Sequence, residues 1–272
     1  MSFAADRSSQ SALTQLAAKL AHFRHLVSAV LLQDMRSRFG ASYLGYLIAI
    51  AWPLTHMGFI TAAYFLRTQV APVGDSPTMF VATGVVPYIL CFYPARTMAL
   101  AIAQNRQLLN IPVLKPFHIL LTRCVLEILN AMVVLALFLF VLYMFDVDIM
   151  PNDLVEAAKA IGAAVFLGIG LGFLNVILTA IFGSFFMTFF VLVMIGLYLM
   201  SGVFIPTWMM PEQMREYAIY NPLLNVVEWL RSAYYTSYDA ELINKPLVLY
   251  VAGICLALGL VGERYVRGRF FR

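Results

Sequence analysis

The sequence predicts an all-α integral membrane protein. Six transmembrane helices are expected, with an N-terminal amphipathic interface helix before the first and re-entrant helices on the outer side before the last. Three observations predict this. First, the chain is 62% hydrophobic and only 12% charged, with a mean hydropathy of +0.84, whereas ordinary globular domains carry about 25% charged residues. Second, apolar runs near the length of about 20 residues needed to cross a bilayer recur along its 272 residues. Third, the stretch Ser201 to Arg231 breaks this pattern. Pro206, Pro211 and Pro222 forbid one continuous helix, because each ring removes an N–H and clashes with the preceding turn. Glu212, Arg215, Glu216, Glu228 and Arg231 are too many charges for a lipid-facing span, yet apolar and aromatic residues surround them. Irregular backbone at membrane depth is tolerated only where it is buried in protein or lines a cavity. The stretch therefore reads as short helices dipping into the membrane rim, with an ordered outer loop as the alternative.

Three segments follow: an N-terminal segment over 1–42, a six-span domain over 43–262 and a basic tail over 263–272. The first 40 residues mix charges and lack an early apolar core, so no cleavable signal peptide is expected. Leu13, Leu16, Leu20, Phe23, Val27 and Val30 recur at spacings of three and four, on one helix face. That amphipathic helix would lie in the membrane interface or offer a docking face. His22 and His25 have no third ligand nearby, so no metal site is expected.

The first span is expected over Tyr43 to Leu66, kinked by Pro53, with Tyr43, Tyr46 and Trp52 forming an aromatic belt at its start. The second runs from Met79 to Ala103, interrupted by Pro87, Pro94 and Arg96. A polar break follows over 104–117. The third, His118 to Phe145, opens with Arg123 and Glu127 one helical turn apart, a mutually satisfied pair near the membrane face. Asp146, Asp148, Asp153 and Glu156 read as a solvated acidic loop. In the fourth span, Ala160 to Phe182, the stripe Ala160, Ala164, Gly168 and Gly172 allows a second helix to approach closely. Gly183 and Ser184 make a tight turn into the fifth span, Phe185 to Phe204. The outer element occupies 205–245 and the sixth span Leu247 to Gly262. Cys91, Cys124 and Cys255 fall in apolar runs and are expected as buried free thiols.

Charge sets the orientation. One side would hold Arg7, Lys19, Arg24, Arg36 and Arg38, then Arg96, Arg106, Lys115 and Arg123, and finally Arg264, Arg267, Arg269 and Arg272, thirteen of the 18 basic residues. The other would hold ten of the 14 acidic ones. Basic loops stay in the cytoplasm, so both termini are expected inside and the Ser201–Arg231 stretch outside.

Catalytic patterns are missing. The chain contains no HExxH, GxSxG or CxxC. Asp146-Val147-Asp148 matches a short DxD pattern but falls in the outer acidic loop. No GxxxxGK[ST] is present to cradle ATP phosphates, so ATP-powered work would need another chain to bind the nucleotide. What remains is a pathway. The aromatics gathered outside suit both sugar stacking and interface anchoring.

Four stretches carry a family resemblance: RSRFGASYLGYLIAIAWPL at the first span, NRQLLNIPVLKPFHILLTRCVLE around the second cytoplasmic break, and SGVFIP with NPLLNVVEWLR in the outer element. Over essentially its whole length the chain resembles the membrane subunit of type 2 ABC exporters, most closely the permease of capsular polysaccharide export systems. The resemblance implies a bacterial inner-membrane homodimer with both termini cytoplasmic. It implies docking on two copies of a nucleotide-binding ATPase subunit that holds ATP and Mg, so no cofactor is expected on this chain. It also implies a periplasmic adaptor, an outer-membrane export pore and a lipid-linked acidic polysaccharide as cargo, and no nucleic acid. The segment with Asn105, Arg106, Leu108, Leu109, Asn110, Pro112, Lys115 and Pro116 would match the coupling helix that sits in the ATPase. The outer element, periplasmic by this resemblance, would close the channel, with Trp208, Tyr217, Tyr220, Asn221, Glu228, Trp229 and Arg231 as its gate and channel residues. The turn IFGSFF departs from the family in lacking charge, so no contact with the ATPase is expected there.

Two physical expectations go beyond the resemblance. Arg36, Arg38, Arg96 and Arg123 would sit near the cytoplasmic face, where guanidinium suits an anchor phosphate or acidic sugars; ordinary positive-inside anchoring is the alternative. Glu228 and Arg231, three apart, would form a pair that holds the gate. Competing readings are export of O-antigen, teichoic acid or a small amphipathic drug by the same fold, and an intramembrane lipid-linked transferase. The last would need clustered catalytic groups at one depth, and only Glu127 with Arg123 offers any.

Overall fold

The computed structural model describes residues 24–25, 28–33, 35–36, 43–67, 70–238 and 243–269. Most of the expected interface helix lies outside them, as do Arg38 and the last three residues. Residues 24–25, 28–33 and 35–36 are helical, with Val30 buried and Leu32 exposed.

Among the described residues there is no strand. In chain order the helices are α1 (Tyr43–Arg67), α2 (Pro77–Ala99), α3 (Ala101–Gln104), α4 (Pro116–Met144), α5 (Leu154–Phe182), α6 (Ser184–Leu199), α7 (Glu212–Ala218), α8 (Pro222–Tyr234) and α9 (Lys245–Val266). Single 3-10 turns occupy Arg106–Asn110, Thr207–Met209 and Arg267–Arg269.

Five helices, α1, α2, α4, α5 and α9, are long and apolar enough to cross a membrane. α6, expected to span as far as Phe204, is 16 residues long, about 24 Å at 1.5 Å per residue and short of a core of about 30 Å. It stops because the chain turns at Gly202, whose φ of 72° is left-handed, and the apolar run beyond it is loop. Other expected boundaries also move. α5 starts at Leu154, because Asp153 caps it by accepting the Val155 and Glu156 N–H groups at 3.0 and 2.9 Å. Glu156 is therefore helical, not part of a loop. α2 runs unbroken through Pro87 and Pro94, since helices packed around it can re-satisfy the freed carbonyls. Ser76, Asn221 and Asn244 cap α2, α8 and α9, each followed by proline in the first turn.

α2 is the central helix, almost wholly buried and packed against α1, α4, α5 and α8. α5 lies between α2 and α9. Its small-residue stripe meets α2 as expected: Ala160 and Ala164 are fully buried, and a Cβ on Gly168 would stand 2.5 Å from the Cys91 carbonyl oxygen. A second small face points to α9, where Gly170 touches the Ala252 backbone. Within a bilayer no water is expelled when spans meet, so close packing of this kind and interhelical hydrogen bonds supply much of the attraction between them. The Asn175 amide adds an interhelical hydrogen bond to the Ala95 carbonyl at 3.1 Å.

Candidate functional site

In the Ser201–Arg231 stretch the prolines fall at helix starts. Pro206 precedes the Thr207–Met209 turn, Pro211 precedes α7 and Pro222 opens α8. Asn221 accepts the Leu223 N–H at 2.9 Å and donates to the Leu197 carbonyl at 2.8 Å, fixing α8 to the end of α6. Asn225 donates to the Ile219 and Asn221 carbonyls and accepts the Asn244 N–H at 2.6 Å, fixing α8 to the start of α9.

α8 carries Glu228 and Arg231 on one face, both at 0% exposure. Their closest approach, Arg231 Nη1 to Glu228 Oε1, is 3.9 Å, too long for a good hydrogen bond. Each charge is met mainly by other groups. The Tyr238 hydroxyl donates to Glu228 Oε1 at 2.6 Å and the Thr207 hydroxyl to Oε2 at 3.1 Å. Burial raises the Tyr238 phenol well above its ordinary pKa, the Arg231 charge pulling the other way, so the hydroxyl stays protonated as the donor. Arg231 donates to the Gly202 carbonyl at 2.6 Å and the Val203 carbonyl at 2.8 Å, and its guanidinium lies 4.0 Å from the centroid of the Phe80 ring. One arginine thus fastens the loop after α6 and the start of α2 to α8.

A second polar cluster sits at the same end. Glu156 accepts the Trp229 indole N–H at 2.8 Å, Lys245 at 2.6 Å and Lys159 at 2.7 Å. Lys245 also lies 5.0 Å from the Trp229 ring centroid. The expected gate residues therefore divide. Asn221, Glu228, Trp229 and Arg231 are buried fasteners, whereas Trp208 on the 3-10 turn, Tyr217 on α7 and Tyr220 just after it are exposed. Trp208 alone of the exposed three joins the buried set, its ring 5.1 Å from that of Tyr238. Sequence reasoning missed Phe80, Thr207, Glu156 and Lys245. A signal existed for Glu156: Asp153 followed three residues later by an acid, ahead of an apolar run, is a helix-start pattern.

At the other end, α3 and the Arg106–Asn110 turn join α2 to α4. Asn105 is buried, its amide donating to the Ala101 carbonyl at 3.0 Å. Leu109 and Leu114 anchor the segment inward, Leu108 is half-buried and Pro116 is buried at the start of α4. Arg106, Asn110, Pro112 and Lys115 are exposed, as are Ile111 at 47% and Val113 at 55%. The segment therefore presents an apolar tip with basic residues on either side. Arg36 and Arg96 are also exposed. Arg123 is not: at 0% exposure, it donates to Gln104 Oε1 at 2.6 Å and stands 3.8 Å from Glu127. Arg123 and Glu127 thus come within ion-pair reach but too far apart for a good hydrogen bond, and the arginine also bolts α4 to the start of the joining segment.

No family model matches the chain. Two curated Escherichia coli proteins do, both named Polysialic acid transport protein KpsM. Each is 25% identical over 235 residues, covering 86% of this chain and 90% of the relative. The resemblance to capsular polysaccharide export proteins read from the sequence agrees with these two matches. Among the described residues, no three His, Cys, Asp or Glu side chains gather in a way that could hold a metal ion.

Proposed function

We propose that the chain is the permease subunit of an ATP-driven exporter that moves lipid-linked acidic capsular polysaccharide from the cytoplasm across the bacterial inner membrane. The observation that carries this reading is the nearly full-length likeness to polysialic acid transport proteins. In this reading α6 serves as the fifth of six spans, α7 and α8 are re-entrant, and a homodimer docks on two ATPase subunits. α1, the least covered of the spans, offers a face for the second copy. The basic ends of α4 and α9 share one cavity, whereas Glu156, Trp229 and Lys245 meet at the opposite end of α9. This separation fits a cytoplasmic basic end and a periplasmic acidic end.

The mechanism follows from these contacts. ATP and Mg belong to the partner subunit. The Ile111–Pro112–Val113 tip would seat in that subunit, and the Arg123–Gln104 contact would carry its displacement into α4. The Glu228–Arg231 cluster holds the outer element closed, with the exposed Trp208, Tyr217 and Tyr220 offering ring faces to emerging sugars. Arg36, Arg38 and Arg96 would guide the acidic cargo at the cytoplasmic face. If export is unchanged in all three single Gln variants, that guiding role is wrong.

Deleting the gene tests the function itself. Polysaccharide is expected to accumulate inside the cell; unchanged surface polymer would refute the reading. A second expected result concerns docking. Ile111→Asp combined with Val113→Asp places charge on an apolar contact. Losing a central contact of about 2 kcal/mol weakens binding roughly 30-fold. Co-purified ATPase activity should drop accordingly, with the yield of folded permease unchanged because both side chains are exposed.

A further inference from the structure

A cavity of about 600 Å³ opens between the start of α4 and the end of α9. Its charged lining is Lys115, Arg264, Arg267 and Glu263. Arg267 and Glu263 neutralise one another in a two-pronged pair, Nε to Oε1 at 3.0 Å and Nη2 to Oε2 at 3.1 Å. Lys115 and Arg264 are exposed and make no ion pair with any described residue, so the cavity carries two uncompensated positive charges. Its remaining wall is mostly apolar: Phe117 and Leu260 are each 37% exposed, Val261 is 56% exposed, and Tyr265 completes it. Two cations without an ion-pair partner among the described residues, beside an apolar wall at the ends of two helices long and apolar enough to cross a membrane, match a molecule with an anionic head and a hydrocarbon body.

We propose that this cavity binds an anionic phospholipid of the surrounding bilayer, its phosphate held between Lys115 and Arg264 and its acyl chain along Phe117, Leu260 and Val261. The proposal rests on the reading that this face is cytoplasmic. It adds a site that links the bilayer to the coupling segment, since Lys115 belongs to both. A lipid seated there braces the start of α4 against α9 at the point where displacement of the segment enters the membrane.

The test uses the full-length permease purified in detergent, with phosphatidylglycerol, phosphatidylcholine and inorganic phosphate as probes and native mass spectrometry as the readout. Phosphatidylglycerol is expected to be retained roughly tenfold better than phosphatidylcholine. Lys115→Gln combined with Arg264→Gln should remove that preference, and each single change should reduce it. Both positions are exposed, so folding is checked by an unchanged unfolding temperature. Equal retention of the two lipids, or an unchanged preference in the double variant, overturns the proposal. Competition by inorganic phosphate alone assigns the site to a free anion, and retention confined to the monomeric fraction assigns the cavity to a second copy; either result overturns the lipid assignment. The measurement involves no polymer and no ATPase, so its failure leaves the export reading intact. Loss of the export reading, in turn, would not abolish lipid retention.

Discussion

Replacing Arg231 with methionine is expected to abolish export and most of the folded permease. Removing one member of a buried charged pair costs roughly 3–5 kcal/mol, a large share of a typical stability of about 5–15 kcal/mol. Here the loss leaves Glu228 at 0% exposure without its nearby positive charge and the Gly202 and Val203 carbonyls without their donor. Combining Glu228→Gln with Arg231→Met removes the stranded carboxylate and should recover part of the folded protein. If the single and double variants unfold at the same temperature, charge compensation is not what the cluster supplies. The reversed pair, Glu228→Arg with Arg231→Glu, should fail. A simple two-partner bridge would survive that exchange, but position 231 must donate to backbone oxygens, and a carboxylate cannot.

Gly170→Leu is expected to be as damaging. A Cβ there would stand 3.0 Å from the Ala252 carbonyl carbon and 3.1 Å from its Cα, with the carbonyl oxygen nearer still. These are backbone atoms of α9 and cannot swing aside. Overpacking a core costs typically 1–3 kcal/mol where neighbours can adjust, and a helix pair held by backbone contact has less freedom to do so. Folded permease, scored by size-exclusion profile, should be nearly lost. Gly162→Leu is the control, because nothing lies within 4 Å of its Cβ position. Equal behaviour of the two variants would show that the α5–α9 contact is not formed.

Hydropathy located every long helix, and the four-residue stripe on α5 announced its contact with α2. The prolines marked the starts of α7 and α8 because their chemistry is local. The i,i+3 spacing placed Glu228 and Arg231 on one face. It could not reveal that the oxygens closest to Arg231 belong to Gly202 and Val203, since a backbone carbonyl has no signature in the sequence. The same turn at Gly202 ended α6 early, and an apolar run hides such a turn. Glu156 was misplaced for a related reason: whether an acid near a helix start is solvated or shared depends on which distant helix ends reach it. The aromatics of the outer element separated into buried and exposed groups only once α7 and α8 had positions, because a ring suits either environment.

The sharing of Glu156 has a mechanical consequence. Trp229 of α8 and Lys245 of α9 both hold a carboxylate that belongs to α5, and α5 and α9 also touch through Gly170. Pinned at the rim and pressed together at mid-depth, these three helices are expected to move as a single lever arm. Parting them would break both of these contacts and the backbone packing at Gly170 at once. In the export reading proposed above, a bore wide enough for a polymer would be made by the thinner wall, α1, α4 and α6, swinging on α2. Crosslinks within the lever arm should leave its stroke free, and crosslinks from α1 to α4 should jam it.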